Sequence, residues 1–202
     1  MTITNYIPVV LENEGPSERS YDLLSRMMKD RIIFLNGGVD DHSAHIICMQ
    51  LLYLNSVDPK ADIDLYLNSP GGVVTSGYAI LDTLAFISND VRVICMGQAC
   101  SMGAMILSAG TKGKRFCLPN SRVMFHQPSS GGISGMASDI EIQAKEILKM
   151  KATLNQMVVN NTGQALEVVE RIMDRDTFMS AQEALDFGAV DHIISHQSQV
   201  SS

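Results

Sequence analysis

The feature that most limits the possible folds is a unit that occurs twice in the middle of the chain: an apolar strand, a glycine-rich turn and a helix. The first unit has a predicted strand at 63–67 and the turn NSPGG at 68–72, and the second has a predicted strand at 91–96 and the turn GQACSMGA at 97–104. Units of this length place successive strands parallel and pack the helices on the sheet. We therefore expect an α/β fold built on a mainly parallel sheet.

A serine, Ser101, lies in the second of these turns. A turn from a strand into a helix can present a hydroxyl outward while the first N–H groups of the helix stay free to receive a developing negative charge. That is the geometry a nucleophile requires. The alternative is that Ser101 only caps the helix, which serines do well and which involves no chemistry. The segment by itself leaves both interpretations open.

A nucleophilic serine needs a base, and histidine is the usual one. His126 follows a strand-like run at 122–125 and enters a loop that contains Pro128 and the glycines at 131–132. Sites of α/β proteins collect where strands end in loops, so His126 is the best candidate. The chain has five histidines, which are His42, His45, His126, His192 and His196.

The first glycine-rich turn, at 68–72, has two interpretations of its own. As structure, it is an ordinary turn formed by a proline and two glycines. As part of a site, its glycines let a substrate backbone approach closely and offer uncovered N–H donors. Because it should lie at the same end of the sheet as Ser101, the second interpretation carries about the same weight as the first.

Composition excludes several functions. The 202 residues, with 46% hydrophobic residues and a mean hydropathy of +0.09, suffice for one well-buried core, so we expect one domain. A net charge of −7 with 15 dispersed Lys and Arg residues argues against a nucleic-acid partner. No apolar run approaches the roughly 20 residues of a membrane span, so we expect no membrane partner.

The cysteines and the first residues bear on the compartment. None of the four cysteines has C-x-x-C spacing, and all lie among apolar or small residues, which is typical of reduced core cysteines; they are Cys48, Cys95, Cys100 and Cys117. Residues 1–15 lack the pattern of a signal or transit peptide. We therefore expect a cytoplasmic protein, with no metal site.

The chain divides into three parts by pattern. We expect an N-terminal arm at 1–16, a folded domain at 17–195 that opens with a short helix at 17–29, and a disordered Gln/Ser-rich tail at 196–202. The longest helical pattern, at about 137–160, would span roughly 35 Å. That is too long for a domain of this size to cover, so this helix should project and pack on something else.

Four motifs together resemble the ClpP family, the proteolytic subunits of Clp proteases. They are NSPGG at 68–72, the turn at 97–103, MFHQP at 124–128 and DRDTF at 174–178, and they occur in the order and approximate spacing of that family. The resemblance covers nearly the whole chain. It implies a crotonase-like spiral of ββα units with a projecting long helix, and a serine endopeptidase that needs no cofactor.

The resemblance also implies a role for particular residues. Ser101 would be the nucleophile, His126 the base, and Asp176 the carboxylate that orients the histidine. The backbone N–H groups of Gly71 and Met102 would form the oxyanion hole. The chemistry is coherent in its own right, because a serine needs a base, the base needs a carboxylate, and the tetrahedral oxyanion needs donors.

Two rival functions remain open, and a third alternative, an α/β-hydrolase, is weak. An α/β-hydrolase would have the order Ser, Asp, His and the motif G-x-S-x-G, whereas Ala99 stands at the first glycine position here. A non-catalytic ring paralogue would keep the fold and typically lose one member of the triad. A crotonase-type acyl-CoA enzyme would share the spiral and the oxyanion hole and would not need a Ser-His pair.

The family resemblance implies an assembly as well. The chain would form a homo-tetradecamer of two stacked heptamers, whose chamber receives unfolded proteins from a Clp-family AAA+ unfoldase, with the arm lining the axial pore. Asp174 and Arg175 would make contacts between the rings. The long helix departs from the family at Met136, where many members have Gln. No P-loop motif is present, so any ATP would be used by the partner.

Overall fold

The computed structural model describes residues 7–14 and 17–199. The elements follow in this order: β1 (Val9–Glu14), β2 (Ser17–Asp22), α1 (Leu23–Lys29), β3 (Ile32–Asn36), α2 (Asp41–Val57), β4 (Ile63–Ser69), α3 (Val74–Phe86), β5 (Val91–Cys100), α4 (Met102–Ser108), β6 (Arg115–Cys117), β7 (Arg122–Phe125), α5 (Ala137–Thr162), α6 (Leu166–Met173), β8 (Thr177–Ser180), α7 (Ala181–Phe187) and β9 (His192–Ile193). A short 3-10 helix at Gln197–Gln199 follows.

The main sheet is parallel apart from one strand, as the repeated units predict. Its path runs β3-β4-β5-β6-β9, with β7 parallel to the last part of β5 and β8 antiparallel to β7. The ten-residue β5 reaches both neighbours because it pairs with β6 near its middle and with β7 at its end. Residues of β4 alternate between buried and half-buried, and every residue of α4 is buried. The core therefore surrounds the units that carry the two glycine-rich turns.

The second turn is shorter than the sequence predicts. The strand predicted to end at 96 continues to Cys100, so the change from strand to helix occurs at Ser101. The pairing of β5 with β4 steps from Leu67–Cys95 to Ser69–Ala99, which places surplus residues on β5. Gly97 lies in this bulge with a φ of +82°, a conformation that glycine adopts without steric cost.

The predicted helix at 17–29 is correct only in its second half. Residues of β2 instead pair antiparallel with β1 in a hairpin, and the helix begins at Leu23. Asp22 stops the strand because its carboxylate accepts a hydrogen bond from the N–H of Ser25 (2.9 Å), which caps α1. Glu12 of the hairpin forms ion pairs with Arg26 and with Lys29 of α1. Part of the predicted arm, residues 1–6 and 15–16, lies outside the described residues, as does 200–202 of the tail.

The long helix is present as predicted. α5 runs from Ala137 to Thr162, and its buried residues, Leu154, Asn155 and Val158, all lie in its second half. Its first half leaves apolar side chains exposed: Ile142 and Leu148 are each 65% exposed. Met136 is 71% exposed at the N-cap and makes no side-chain capping bond. The helix thus presents an apolar surface that residues 7–14 and 17–199 leave uncovered.

A buried ion pair joins the end of the chain to the core. Arg115 is 3% exposed, and its guanidinium forms a two-point contact with the carboxylate of Asp191 (2.8 and 2.6 Å). Its Nη1 group donates to the carbonyls of Ser108 and Asn161. Burial opposes ionisation of Asp191, yet the Arg115 hydrogen bonds and charge hold the pKa of that carboxyl below its usual range. Arg115 thus connects β6 to the C-terminal ends of α4 and α5.

The cysteines are free, as predicted, and three of them are buried while Cys48 is half-buried. Within the described part of the chain, we find no helix with the length and apolar character needed to cross a membrane.

Candidate active site

Ser101 stands at a strained turn between β5 and α4. It has a φ of +54° and a ψ of −122°, which is rare for a residue with a side chain and costs on the order of 1–3 kcal/mol. Two backbone hydrogen bonds hold it there: its N–H donates to Met124 O (2.8 Å), and its carbonyl accepts from Met105 N–H (3.1 Å). Its hydroxyl makes no capping bond to α4. The interpretation of Ser101 as a simple helix cap is therefore wrong.

The parallel pairing of β5 with β7 brings His126 to this serine. Cys100, the last residue of β5, pairs with Met124 of β7, and β7 ends one residue later at Phe125. Ser101 and His126 therefore follow their strands at the same end of the sheet. The His126 Nε2 atom lies 2.8 Å from Ser101 Oγ. The prediction that strand ends assemble the site holds for this pair of side chains.

Asp176 reaches the histidine through the one antiparallel pair of the main sheet. Phe125 of β7 faces Thr177 of β8 at the end of the ladder, so the residue that follows β7, His126, comes near the residue that precedes β8, Asp176. The Asp176 Oδ1 atom is 2.8 Å from His126 Nδ1. An ionised carboxylate only accepts hydrogen bonds, so Nδ1 donates to it and the Nε2 of a neutral ring accepts from the Ser101 hydroxyl.

The neighbouring Cys100 carries a thiol, which is a potential nucleophile, but its surroundings disfavour the reactive thiolate form. Its side chain is 5% exposed, and burial raises the pKa of the Cys100 thiol. A thiol reacts as the thiolate, so the raised pKa keeps it unreactive. Ser101 is half-buried and its hydroxyl contacts His126 Nε2, so of the two side chains it is the more accessible and the one with a histidine at hydrogen-bond distance.

The turn at 68–72 lies directly against Ser101. A Cβ placed on Gly71 would be 2.5 Å from Ser101 Cβ, 2.6 Å from Cys100 O and 2.9 Å from Met102 N. Only glycine fits this approach, and its φ of +91° also favours glycine. Hydrogen bonds with Val39, which donates to Gly71 O (2.9 Å), fix the turn.

The two backbone donors predicted for an oxyanion hole lie close together, since a Cβ on Gly71 would be 2.9 Å from Met102 N. Met102 is the first residue of α4 and has no carbonyl one turn back within that helix, so its N–H is available. The Gly71 N–H instead donates to the hydroxyl of Ser69 (3.1 Å), a fully buried residue. This contact was not predicted, and only its place in the NSPGG motif hints at it.

Asp174 and Arg175 extend from the segment before Asp176. Their side chains are 59% and 87% exposed, and Arg175 Nε lies 3.9 Å from Asp174 Oδ2. The predicted contact between rings requires both side chains to be accessible from outside the subunit. The exposure leaves both side chains free to make it.

An open cleft of about 470 Å³ adjoins the site, since Cys100, the neighbour of Ser101, lies in its lining. Its lining includes Cys100 and Phe178, which neighbour the triad in sequence, together with polar groups of Asn68, Gln98 and Arg122. Arg122 lies over the Phe178 ring at 5.3 Å. Across 7–14 and 17–199, no group of three or more His, Cys, Asp or Glu residues is arranged to hold a metal ion.

A comparison with protein families is consistent with this geometry. The family model described as Clp protease matches residues 15–197 of the 202-residue chain. The match includes both glycine-rich turns, the strand end that carries His126 and the segment that carries Asp176.

Proposed function

Because the chain belongs to the Clp protease family, and is thus a peptidase of the Clp type, we propose that it cleaves peptide bonds with Ser101 as nucleophile, His126 as base and Asp176 as the orienting carboxylate. The observation that carries the proposal is the continuous pair of 2.8 Å contacts from Asp176 through His126 to Ser101. These are the contacts that a serine nucleophile and its base require.

The first half of the reaction forms an acyl-enzyme. As Ser101 Oγ attacks the peptide carbonyl carbon, its proton passes to His126 Nε2, and Asp176 stabilises the imidazolium through Nδ1. The carbonyl oxygen becomes an oxyanion, which accepts a hydrogen bond from the Met102 N–H. The intermediate then collapses: the C–N bond breaks, and His126 Nε2 gives the proton to the leaving amine.

The second half releases the acyl group. Water gives a proton to His126 Nε2 as its oxygen attacks the ester carbonyl, and the Ser101 oxygen leaves with that proton. The Gly71 N–H would serve as the second oxyanion donor, which requires it to share or release its bond to Ser69 Oγ. We propose no cofactor, because nucleophile, base and donors all come from this chain.

The assembly and its partners extend the proposal. We propose a homo-tetradecamer of two stacked heptamers, in which α5 packs between the rings and Asp174 and Arg175 contact the opposite ring. The uncovered apolar side chains of α5 support this, because exposed apolar surface of this kind marks interaction sites. A Clp-family AAA+ unfoldase would use ATP and feed unfolded proteins into the chamber, and the arm at 1–16 would line the pore.

We also place the protein in the cytoplasm. The four free cysteines support this, since a reducing compartment keeps thiols unpaired.

The test of the proposed chemistry is Ser101→Ala. The change removes one oxygen and leaves the rest of the surface intact, so hydrolysis of a fluorogenic peptide should fall by about 10⁶-fold in kcat while particle mass stays the same. Ser56→Ala is the matched control, because the Ser56 hydroxyl bonds only the Tyr53 carbonyl within its own helix. Wild-type hydrolysis by Ser101→Ala would remove Ser101 from the mechanism.

A further inference from the structure

The triad carboxylate stands on an exposed segment. Asp176 belongs to the short connection between α6 and β8, and its side chain is 62% exposed. The β7–β8 ladder ends with the pair Phe125 and Thr177, just before the level of Asp176. The orientation of the carboxylate toward His126 therefore depends on whatever fixes residues 174–176 beyond the end of the ladder.

Gln127 supplies a bond at this place. It directly follows His126 and is half-buried, and its Nε2 donates to the backbone carbonyl of Asp174 at 2.7 Å. The same nitrogen lies 3.5 Å from Asp174 Oδ1. Where the backbone ladder stops, this side chain continues the connection between the strand that carries the base and the segment that carries the carboxylate.

The other end of the segment is held by a hydroxyl. Thr177 Oγ1 lies 2.8 Å from the Ile172 carbonyl and 3.2 Å from the Arg175 carbonyl. Together with Gln127, this contact fixes the backbone on both sides of Asp176. Thr177 also belongs to the ladder, whereas the Gln127 amide is a contact that a single substitution removes without touching β7 or β8.

We propose that Gln127 is a positioning residue, which holds residues 174–176 so that Asp176 stays in contact with His126. The inference rests on the proposed function, because it assigns Gln127 a role only through Asp176. A side-chain hydrogen bond of this kind shifts a local equilibrium by roughly a few-fold to tenfold. We therefore expect Gln127→Ala to lower kcat about fivefold to tenfold with KM unchanged.

Gln127→Glu distinguishes the hydrogen bond from simple packing. The two side chains have the same shape, yet an ionised Glu donates nothing and would face the Asp174 carbonyl and carboxylate. If the bond matters, kcat should decrease in the order wild type, Gln127→Ala, Gln127→Glu. If packing alone matters, Gln127→Glu should resemble wild type. Gln182→Ala is the matched control, since Gln182 bonds Asp186 on the separate helix α7.

The decisive experiment repeats the substitution in the Asp176→Asn background and measures kcat for a fluorogenic peptide, with particle mass and thermal unfolding checked for each variant. Residues that act as a unit have non-additive effects. Gln127→Ala should therefore lower kcat in the wild type and leave it unchanged, within twofold, once Asp176 is Asn.

Four results would overturn the positioning role: an equal loss in both backgrounds, wild-type kcat in Gln127→Ala and Gln127→Glu, a loss of particle mass that accounts for the lost activity, or full activity of Asp176→Asn itself. The last result would also overturn the proposed function. The first three would leave it standing, provided that kcat of Ser101→Ala and of Asp176→Asn is far below that of wild type, by about 10⁴-fold for Asp176→Asn.

Discussion

Replacing Gly71 by Ala tests whether the glycine-rich turn positions Ser101, the proposed nucleophile. The new Cβ would lie 2.5 Å from Ser101 Cβ and 2.6 Å from Cys100 O. Non-bonded carbon atoms prefer about 3.5–4.0 Å, so the turn or the serine must move by about 1 Å. A displacement of that size costs on the order of 10²-fold in rate, and loss of one oxyanion donor costs roughly 10²–10³-fold.

The displacement of the serine and the loss of the oxyanion donor both follow from the displaced turn, so the two rate losses do not simply multiply. We expect kcat of Gly71→Ala to be about 10³-fold below wild type in peptide hydrolysis. Gly37→Ala is the matched control. Gly37 has a similar φ of +99°, and a Cβ there meets nothing within 4 Å. Both variants carry the same kind of backbone strain, and only one carries the clash.

We expect the backbone strain to lower the Tm of both variants, and the steric clash to lower the kcat of Gly71→Ala. A strain of about 1–3 kcal/mol lowers Tm by roughly 2–12 °C in a chain of this size, and we expect this of both variants at equal protein concentration. Gly37→Ala should keep at least half of the wild-type kcat. If the two variants have the same kcat, the close approach of Gly71 to Ser101 does not position the site, and the reasoning above is refuted.

Three further predictions test stability, the arm and the ring contact. Asp191→Asn leaves the buried Arg115 charge unpaired, so we expect a loss of about 3–5 kcal/mol in chemical denaturation; because the folded-state pKa of Asp191 is lowered, wild type should lose stability as pH falls below about 4 and this variant should lose less, and a stability equal to wild type at pH 7 would contradict the reasoning. Deleting residues 1–14 should impair unfoldase-dependent degradation of folded proteins more than cleavage of short peptides, which diffuse in unaided. Equal loss of both activities would instead make the arm part of the folded core or of the active site. Arg175→Ala should give particles of roughly half the mass with little peptidase activity in sedimentation and peptide assays, because one of two rings is lost and Asp176 shifts with the adjacent residue; full mass and full activity would show that Asp174 and Arg175 are only solvated charges.

The parallel sheet could be predicted from the sequence because each unit is local. An apolar strand, a glycine-rich turn and an amphipathic helix all lie within about thirty residues, and their order dictates the direction of the strands. The long helix was predictable for the same reason, since its apolar spacing repeats over many turns. Its start at Ala137 agrees with the structure, and its end at Thr162 lies two residues beyond the prediction.

The N-terminal hairpin could not be predicted in this way. Tyr21, Leu24 and Met28 have helical spacing, which favours one helix across 17–29. The structure divides that range at Asp22, because residues 17–22, whose sequence SERSYD is largely polar, pair with the strand β1. The position at which β2 ends and α1 begins depends on the pairing of β2 with β1. The helical spacing of residues 17–29 contains no information about that partner.

The site shows the same division between local and distant information. The turn at Ser101 and the strand end at His126 follow from local patterns, and the parallel pairing of β5 with β7 brings them together. Asp176 depends on the antiparallel pairing of β7 with β8, fifty residues along the chain from His126. No local sequence pattern fixes the register of β7 with β8, so the role of Asp176 is predicted only by the family resemblance.

Two contacts of the site had no distinct pattern in the sequence. The Ser69 hydroxyl that accepts the Gly71 N–H, and the Gln127 amide that donates to Asp174 O, are side-chain to backbone bonds. Such bonds depend on the final placement of the turn and the loop, and Ser and Gln are common in both. Only adjacency to Gly71 and His126 marks these residues in advance.

The most direct test of the proposed triad is covalent labelling with a fluorophosphonate, a reagent that modifies activated serines. Peptide mapping by mass spectrometry should find one adduct, on Ser101 Oγ, and the labelling rate should fall by at least about 10³-fold in His126→Ala, because the base that activates the hydroxyl is removed. An adduct on another residue, or a rate for Ser101 that is unchanged in His126→Ala, would contradict the account.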